Sequence, residues 1–225
     1  MILIPVKNLA NAKQRLASSL SQSIRTELAQ AMLLDVLETL AAFCAAQAPS
    51  PAITPEVSVV TSDPYAVELA RRFHFHLISD PSNRSETDAI EMATQVCESR
   101  GIGSTLVIPA DIPLMQVSEL QRILEAAPEE GSVLVPAADG RGTNAAYRCP
   151  GALFPLRFGN DSFKPHLAAA RATGKPCTVL SLPGIALDID NPAELRELAQ
   201  APGERRSQRL ARQWDLSDVP LAANQ

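Results

Sequence analysis

At 225 residues, 46% of them hydrophobic, the chain is long enough for one α/β domain with a full core, and with 4% aromatics that core is aliphatic. A formal net charge of −5 excludes a general nucleic-acid binder, which needs a basic field, but leaves room for a nucleotide in a local basic pocket. Four cysteines without a C-x-x-C pair and three histidines without H-E-x-x-H spacing point away from structural zinc and a disulfide framework.

The chain opens on M-I-L-I-P-V-K, with no cationic segment followed by a long apolar one, and no apolar stretch is read as reaching the ~18 residues of a membrane span. A cytoplasmic protein with no membrane partner is expected. Residues 2–6 read as a buried strand leading into a polar loop that carries Lys7, Lys13 and Arg15. Lys-x5-Lys-x-Arg suits phosphate oxygens, the ammonium as a point charge and the guanidinium as a fork. The plainer alternative is a solvated basic loop. No G-x-G-x-x-G and no G-x-x-x-x-G-K-[ST] is present.

Residues 23–46 predict a long helix, with Leu28, Met32, Leu33, Val36, Leu37, Leu40 and Phe43 as its core-facing stripe. Prolines from 49 to 55 predict a rigid connector. A strand over 57–61, a helix begun by Asp63 and Pro64 and running to Arg72, and a strand over 75–79 follow. Ser85 and Asp88 fit a capping box for a helix over 89–99, with Gly101 just past its end. The N-terminus of that helix can receive an anion.

Residues 105–109 predict the buried strand around which the rest is arranged. It runs out at Asp111, and Pro113 stops any ladder from continuing. In an open α/β sheet, a carboxylate at the C-terminal end of a strand stands at the ligand crevice. There Mg²⁺ takes one or two carboxylates plus phosphate oxygens. The plainer alternative is that Asp111 caps a turn. A helix over 118–126 completes a β-α-β-α-β-α-β-α half with parallel strands.

The second half changes character. Strands over 132–136 and 145–148 flank the Gly-rich turn 137–142 and the pair Thr143-Asn144. This is either a simple hairpin or a place where main-chain N–H groups approach an anion. F-G-N-D-S-F at 158–163 opens a helix ending near Gly174, with Ser162 as N-cap and Lys164 and His166 in the first turn. A strand over 177–182 follows. Asp188 and Asp190 alternate along an extended segment and so share a face. Like charges placed together need a cation or water between them, so a metal site shared with Asp111 is one reading. Asn191 and Pro192 start a helix over 193–200. The domain is expected to span 1–201, with 202–225 a polar, Arg-rich tail that is accessory or makes a homodimer contact.

Five words run through the chain together: I-P-V-K…A-K-Q-R-L at 4–16, P-A-D-I-P-L at 109–114, D-G-R-G-T-N at 139–144, F-G-N-D-S-F-x-x-H at 158–166 and L-D-I-D-N-P-A-E-L at 187–195. With them the chain resembles the guanylyltransferases of deazaflavin-coenzyme (coenzyme F-420) biosynthesis over most of residues 1–200. The resemblance implies a single-domain nucleotidyltransferase with the glycosyltransferase-A-like fold, a three-layer α/β/α sandwich on a mostly parallel central sheet. It implies that the phosphate of a small phosphorylated three-carbon acid attacks the α-phosphorus of GTP and pyrophosphate leaves. By matching positions, Asp111 and Asp190 bind Mg²⁺, with Asp188 as a competing candidate. Lys7, Lys13 and Arg15 hold the triphosphate. Thr143, Gly159 and Ser162 hold the acid, with Lys164 and His166 as neighbours. Direct hand-over of a labile diphosphate product to the next enzyme is also expected.

Where that family often carries a G-L-N word, this chain has Arg84-Ser85-Glu86-Thr87-Asp88-Ala89. Ser85 and Asp88 are therefore expected beside the nucleotide and acceptor. A polar wall there suits an acid with a free hydroxyl, 3-phospho-D-glycerate, over phosphoenolpyruvate or 2-phospho-L-lactate. The plainer alternative is that both residues only cap their helix. Two other functions stand beside this one. A nucleotidyltransferase for a sugar phosphate or molybdopterin usually carries an N-terminal glycine loop, and no glycine precedes Gly101. A non-catalytic nucleotide binder is expected to lose carboxylates or clamp cations, and all are present.

Overall fold

The computed structural model describes residues 1–47, 55–159 and 161–214. Among them seven strands form one sheet: β1 (Ile2–Val6), β2 (Val57–Thr61), β3 (His76–Ser79), β4 (Thr105–Val107), β5 (Gly131–Pro136), β6 (Thr143–Cys149) and β7 (Cys177–Val179). Their order is β3-β2-β1-β4-β6-β5-β7. The first four are parallel, as alternation with helices requires, because a parallel pair needs a long crossover. β6 runs antiparallel to both neighbours, so the Gly-rich turn does close a hairpin with β5, and β7 returns parallel to β5.

The helices are α1 (Gln22–Gln47), α2 (Pro64–Arg72), α3 (Glu86–Ser99), α4 (Val117–Glu125), α5 (Phe163–Ala172), α6 (Pro183–Ala186), α7 (Pro192–Gln200) and α8 (Arg206–Gln213). Both faces of the sheet are covered, which is why its central strands are apolar without alternation. In β1, Ile2, Ile4 and Val6 pack with residues of α1, α2, α4 and α6, while Leu3 packs on the other side with α3 and α5. The architecture is the three-layer α/β/α sandwich expected.

The stripe of α1 is fully buried from Leu28 to Phe43. The helix also buries Ala31, Leu34, Asp35 and Thr39. The reason is a second covering layer: Leu28 and Met32 join Leu187, Ile189, Leu195, Leu198 and Ala211 in a separate apolar cluster under α7 and α8. By length and composition α1 is apolar enough to cross a membrane, which corrects the reading that no stretch is. Burial of 67% of its most apolar window inside the fold accounts for that content.

Other differences are local. β4 stops at Val107; the Ile108 N–H still reaches the Leu3 carbonyl at 3.0 Å, but Pro109 has no N–H to continue. β7 stops at Val179, short of the expected end at 182; the Leu180 N–H still donates to the Leu134 carbonyl at 3.0 Å, and the chain then enters the short helix α6 on Pro183. Ser162 precedes α5 but its side chain caps nothing. Asp63 does cap α2, and its second oxygen accepts from the Leu9 N–H at 3.0 Å, tying the basic loop to that helix. The proline connector, apart from Pro55, lies outside the described residues.

Residues 205–214, expected to begin an accessory tail, pack against α1 and α7. Asp35, fully buried in α1, accepts from the Arg206 N–H (3.1 Å), the Ser207 N–H (3.0 Å) and the Ser207 hydroxyl (2.6 Å), and so caps α8 from another helix. Arg205 donates to the Met115 carbonyl at 3.1 Å, and Arg206 grips both oxygens of Glu38 at 2.8 and 2.9 Å. Residues 215–225 lie outside the described residues.

Candidate active site

Strand addition reverses direction between β1 and β4, and ligands of open α/β sheets bind outside the C-terminal ends of such a pair. Two clefts open there. The first, about 420 Å³, is lined by the loop after β1 with Lys7 and Lys13, by Arg84 and Glu86, and by Asp111. The second, about 750 Å³, is lined by the β5–β6 turn, Thr143, Gly159, Ser162, the Asp188–Asp190 segment and Arg15. The two share Glu86, Pro109 and Asp111, so they meet at the carboxylate that ends the β4 segment.

The Asp-x-Asp segment is fastened beside Asp111 by a main-chain bond from the Ile189 N–H to the Asp111 carbonyl at 3.1 Å. Leu187 and Ile189 point into the cluster under α7, which leaves Asp188 and Asp190 on the cleft side. Glu194 accepts from the Asp190 and Asn191 N–H groups at 2.6 and 2.9 Å, so the capping box of α7 fixes the Asp190 backbone. Asn144 Nδ2 donates to Asp188 Oδ1 at 2.9 Å and to the Ala186 carbonyl at 2.9 Å, binding Asp188 to β6.

Lys13 stands between the carboxylates. Its Nζ donates to Asp111 Oδ2 at 2.5 Å and to Asp190 Oδ1 at 2.9 Å, and Arg15 Nη1 reaches Asp190 Oδ2 at 3.2 Å. Lys13 has φ 56° and ψ 45°, a left-handed conformation that costs a non-glycine residue. Arg25, buried in α1, supports that turn by donating to Gln14 Oε1 at 3.1 Å.

The charges shift one another. Burial works to lower the Lys13 pKa, but Asp111 and Asp190 outweigh it and hold the ammonium above the ordinary lysine value. Burial works to raise Asp190, but Lys13 and then Arg15 hold it below the usual aspartate value. Asp188 is raised by burial and by the Asp111 charge. Glu86 is pushed up to about 7 by burial and by Asp111 and Asp190, against the opposing pull of Lys13 and Lys7.

Of the residues picked out from sequence, Lys7, Lys13, Arg15, Asp111, Thr143, Gly159, Ser162, Asp188 and Asp190 all line the joined clefts. Gly159 has φ +136°, which glycine adopts without the penalty of a Cβ. Ser85 and Asp88 line neither cleft: the Ser85 hydroxyl accepts from the Asp88 N–H at 3.0 Å, and Asp88 is exposed. The structure brings Glu86 to the junction instead, a residue sequence reasoning passed over; its place directly after the N-cap was the one available signal. Lys164 is exposed, and His166 is buried behind Thr143 rather than in the cleft.

An α/β sandwich whose switch-point crevice joins two polar clefts through carboxylates, lysines and an arginine is the layout of a nucleotidyltransferase. A family model described as "Guanylyl transferase CofC like" matches residues 1–220. The chain is 34% identical over 212 residues to the phosphoenolpyruvate guanylyltransferase of Roseiflexus castenholzii, covering 94% of this chain and 93% of that one. It is 31% identical over 196 residues to the 2-phospho-L-lactate guanylyltransferase of Methanothermobacter thermautotrophicus, covering 87% and 82%. Among solved structures, a putative nucleotide-diphospho-sugar transferase from Desulfovibrio desulfuricans superposes with a TM-score of 0.73 at 18% identity over 94% of this chain and 93% of that one, a likeness of fold alone. The chain belongs to the CofC-like guanylyltransferase family.

Proposed function

We propose that this enzyme transfers GMP from GTP to the phosphate of a small phosphorylated three-carbon acid, with phosphoenolpyruvate placed first. The observation that carries this reading is the junction at Asp111, where a cleft lined by Lys7 and Lys13 opens into one lined by Thr143, Gly159 and Ser162. GTP occupies the first cleft and the acid the second. An oxygen of the acid's phosphate bonds to the α-phosphorus, the bond from that phosphorus to the bridging oxygen breaks, and pyrophosphate leaves with its electron pair. Lys7 and Lys13 from the first cleft, with Arg15 from the second side of the junction beside Asp190, hold the triphosphate and neutralise charge on the leaving group. The donor set suits Mg²⁺, since Asp111 and Asp190 already converge on one cationic point, the Lys13 ammonium. Among the described residues no three His, Cys, Asp or Glu side chains group closely enough to hold a metal ion by themselves, so phosphate oxygens would have to complete the coordination. Bound there, Mg²⁺ supplies charge neutralisation at the phosphates.

The expectation of 3-phospho-D-glycerate came from the polar segment 84–88; of it Arg84 and Glu86 line the clefts while Ser85 and Asp88 do not, so the two hydrogen-bonding residues expected beside the acceptor are absent from its cleft, and the names of the relatives favour an acid without a free hydroxyl. The product, a labile guanylated acid, passes to the enzyme that consumes it in deazaflavin-coenzyme assembly. The test is pyrophosphate release with GTP and Mg²⁺ and each of the three acids in separate reactions, repeated with excess chelator. Release that needs phosphoenolpyruvate and is abolished by the chelator supports the reading. Release with 3-phospho-D-glycerate alone overturns the acceptor, and none with any acid while GTP binds overturns the reaction.

A further inference from the structure

His166 is buried at the first turn of α5, and its ring is bonded on both sides. On one side the main-chain N–H of Arg157 donates to Nε2 at 2.7 Å. A main-chain amide can only donate, so Nε2 carries no proton. A neutral ring then carries its proton on Nδ1, which lies 2.9 Å from Thr143 Oγ1. Burial, and then the nearby Arg148 charge, depress the ring's pKa to about 4, so it stays neutral near pH 7. The Thr143 hydroxyl therefore accepts from the ring and has its own proton left to donate. Ser162 Oγ lies at 3.4 Å, long for a bond between hydroxyls. Thr143 and Ser162 both line the second cleft, which is where a ligand oxygen can meet the remaining donation.

We propose that His166 is a positioning residue: from behind the cleft it fixes the Thr143 hydroxyl as a donor, and so sets the affinity for the phosphate or carboxylate oxygens of the acceptor. This rests on the acid occupying the second cleft, as proposed above. The ring itself stays out of the cleft, packed edge-on against Phe158 at 5.4 Å.

Two substitutions separate its bonds. His166→Asn keeps an amide donor at the reach of Nδ1, for Thr143, and leaves the Arg157 N–H without an acceptor. His166→Gln carries its amide to the reach of Nε2, keeps an acceptor for Arg157 and withdraws the donor from Thr143. The expected result is a KM for the acid about tenfold or more higher in His166→Gln than in His166→Asn, with the KM for GTP alike in both, since a hydrogen bond to a charged group is at stake. A purely structural role predicts the reverse rank, because only the Asn variant leaves the part-buried Arg157 N–H without the ring acceptor. Thr143→Val combined with His166→Gln is expected to lose no more than Thr143→Val alone. Independently of turnover, ¹⁵N NMR of the histidine-labelled wild-type enzyme should find His166 protonated at Nδ1 and bare at Nε2. An Nε2–H ring or an imidazolium at pH 7 overturns the proposal. Wild-type enzyme inactive with all three acids fails the reaction, whereas equal acid KM values for the Asn and Gln variants of an active enzyme fail the positioning role.

Discussion

Replacing Asp35 by Ala removes one carboxylate from the middle of α1 and leaves three donors on α8 without a partner: the N–H groups of Arg206 and Ser207 and the Ser207 hydroxyl. Asp35 and Ser207 are both fully buried, so water does not replace the lost acceptor at Ser207. An orphaned buried donor costs roughly 1–3 kcal/mol, and the hydroxyl can rotate away, so a loss of about 3–5 kcal/mol is expected. For a chain of this size that is a fall in Tm of about 6–20 °C. The consequence reaches the site, because Ala211 of α8 shares a cluster with Leu187 and Ile189, which flank Asp188. Calorimetry and urea unfolding of Asp35→Ala, Ser207→Ala and the double variant measure it. The double variant should be less destabilised than the sum of the singles, since both remove the same 2.6 Å bond. An Asp35→Ala protein within about 1 kcal/mol of wild type, below the cost of one orphaned donor, would refute the account of how α8 is held.

Lys13→Met should lower kcat/KM for pyrophosphate release by about 10²–10³-fold, the scale for removing one positioned charge-stabilising donor. Lys13→Arg should not restore it, because a planar fork does not replace a compact ammonium at the phosphate oxygens; at least half of wild-type activity in either variant would count against the clamp. Asp111→Asn and Asp190→Asn should each weaken Mg²⁺ binding at least tenfold by titration calorimetry with GTP present, and Asp188→Asn less, since Asn144 already engages Asp188; equal losses would make Asp188 a ligand. Glu86, raised to about 7 in the fold, holds a proton there that the unfolded chain has lost, so wild-type stability falls as pH rises from the ordinary glutamate range through about 7. Glu86→Gln cannot ionise. In urea midpoints taken without nucleotide or divalent cation, its stability relative to wild type should grow over that window and level off above it, and a pH-independent difference would refute the assignment.

Much of the fold was legible because its signals are local. Apolar runs at 2–6 and 57–61, the stripe on α1, Asp63-Pro64 before α2 and Asn191-Pro192 before α7 each act through neighbours a few residues away, and each appears where those signals put it. The candidate site was legible as residue types: cations early, a strand-end carboxylate in the middle, two alternating carboxylates late. Their meeting was not, since Lys13 lies 98 residues from Asp111 and 177 from Asp190, and only the sheet order β1-β4 and the Ile189-to-Asp111 main-chain bond bring them together. Helix phase decided another point. Ser85 and Asp88 use each other at the start of α3, which turns Glu86 to the junction, and one residue of phase is beyond what a capping pattern specifies. The arginines after 204 read as an accessory tail or homodimer contact because their partners, Asp35, Glu38 and the Met115 carbonyl, belong to distant parts of the chain. Local propensity and periodicity thus determined the elements, and residue types marked the candidate charges; which charges face one another was decided only when packing removed water from between segments far apart in sequence.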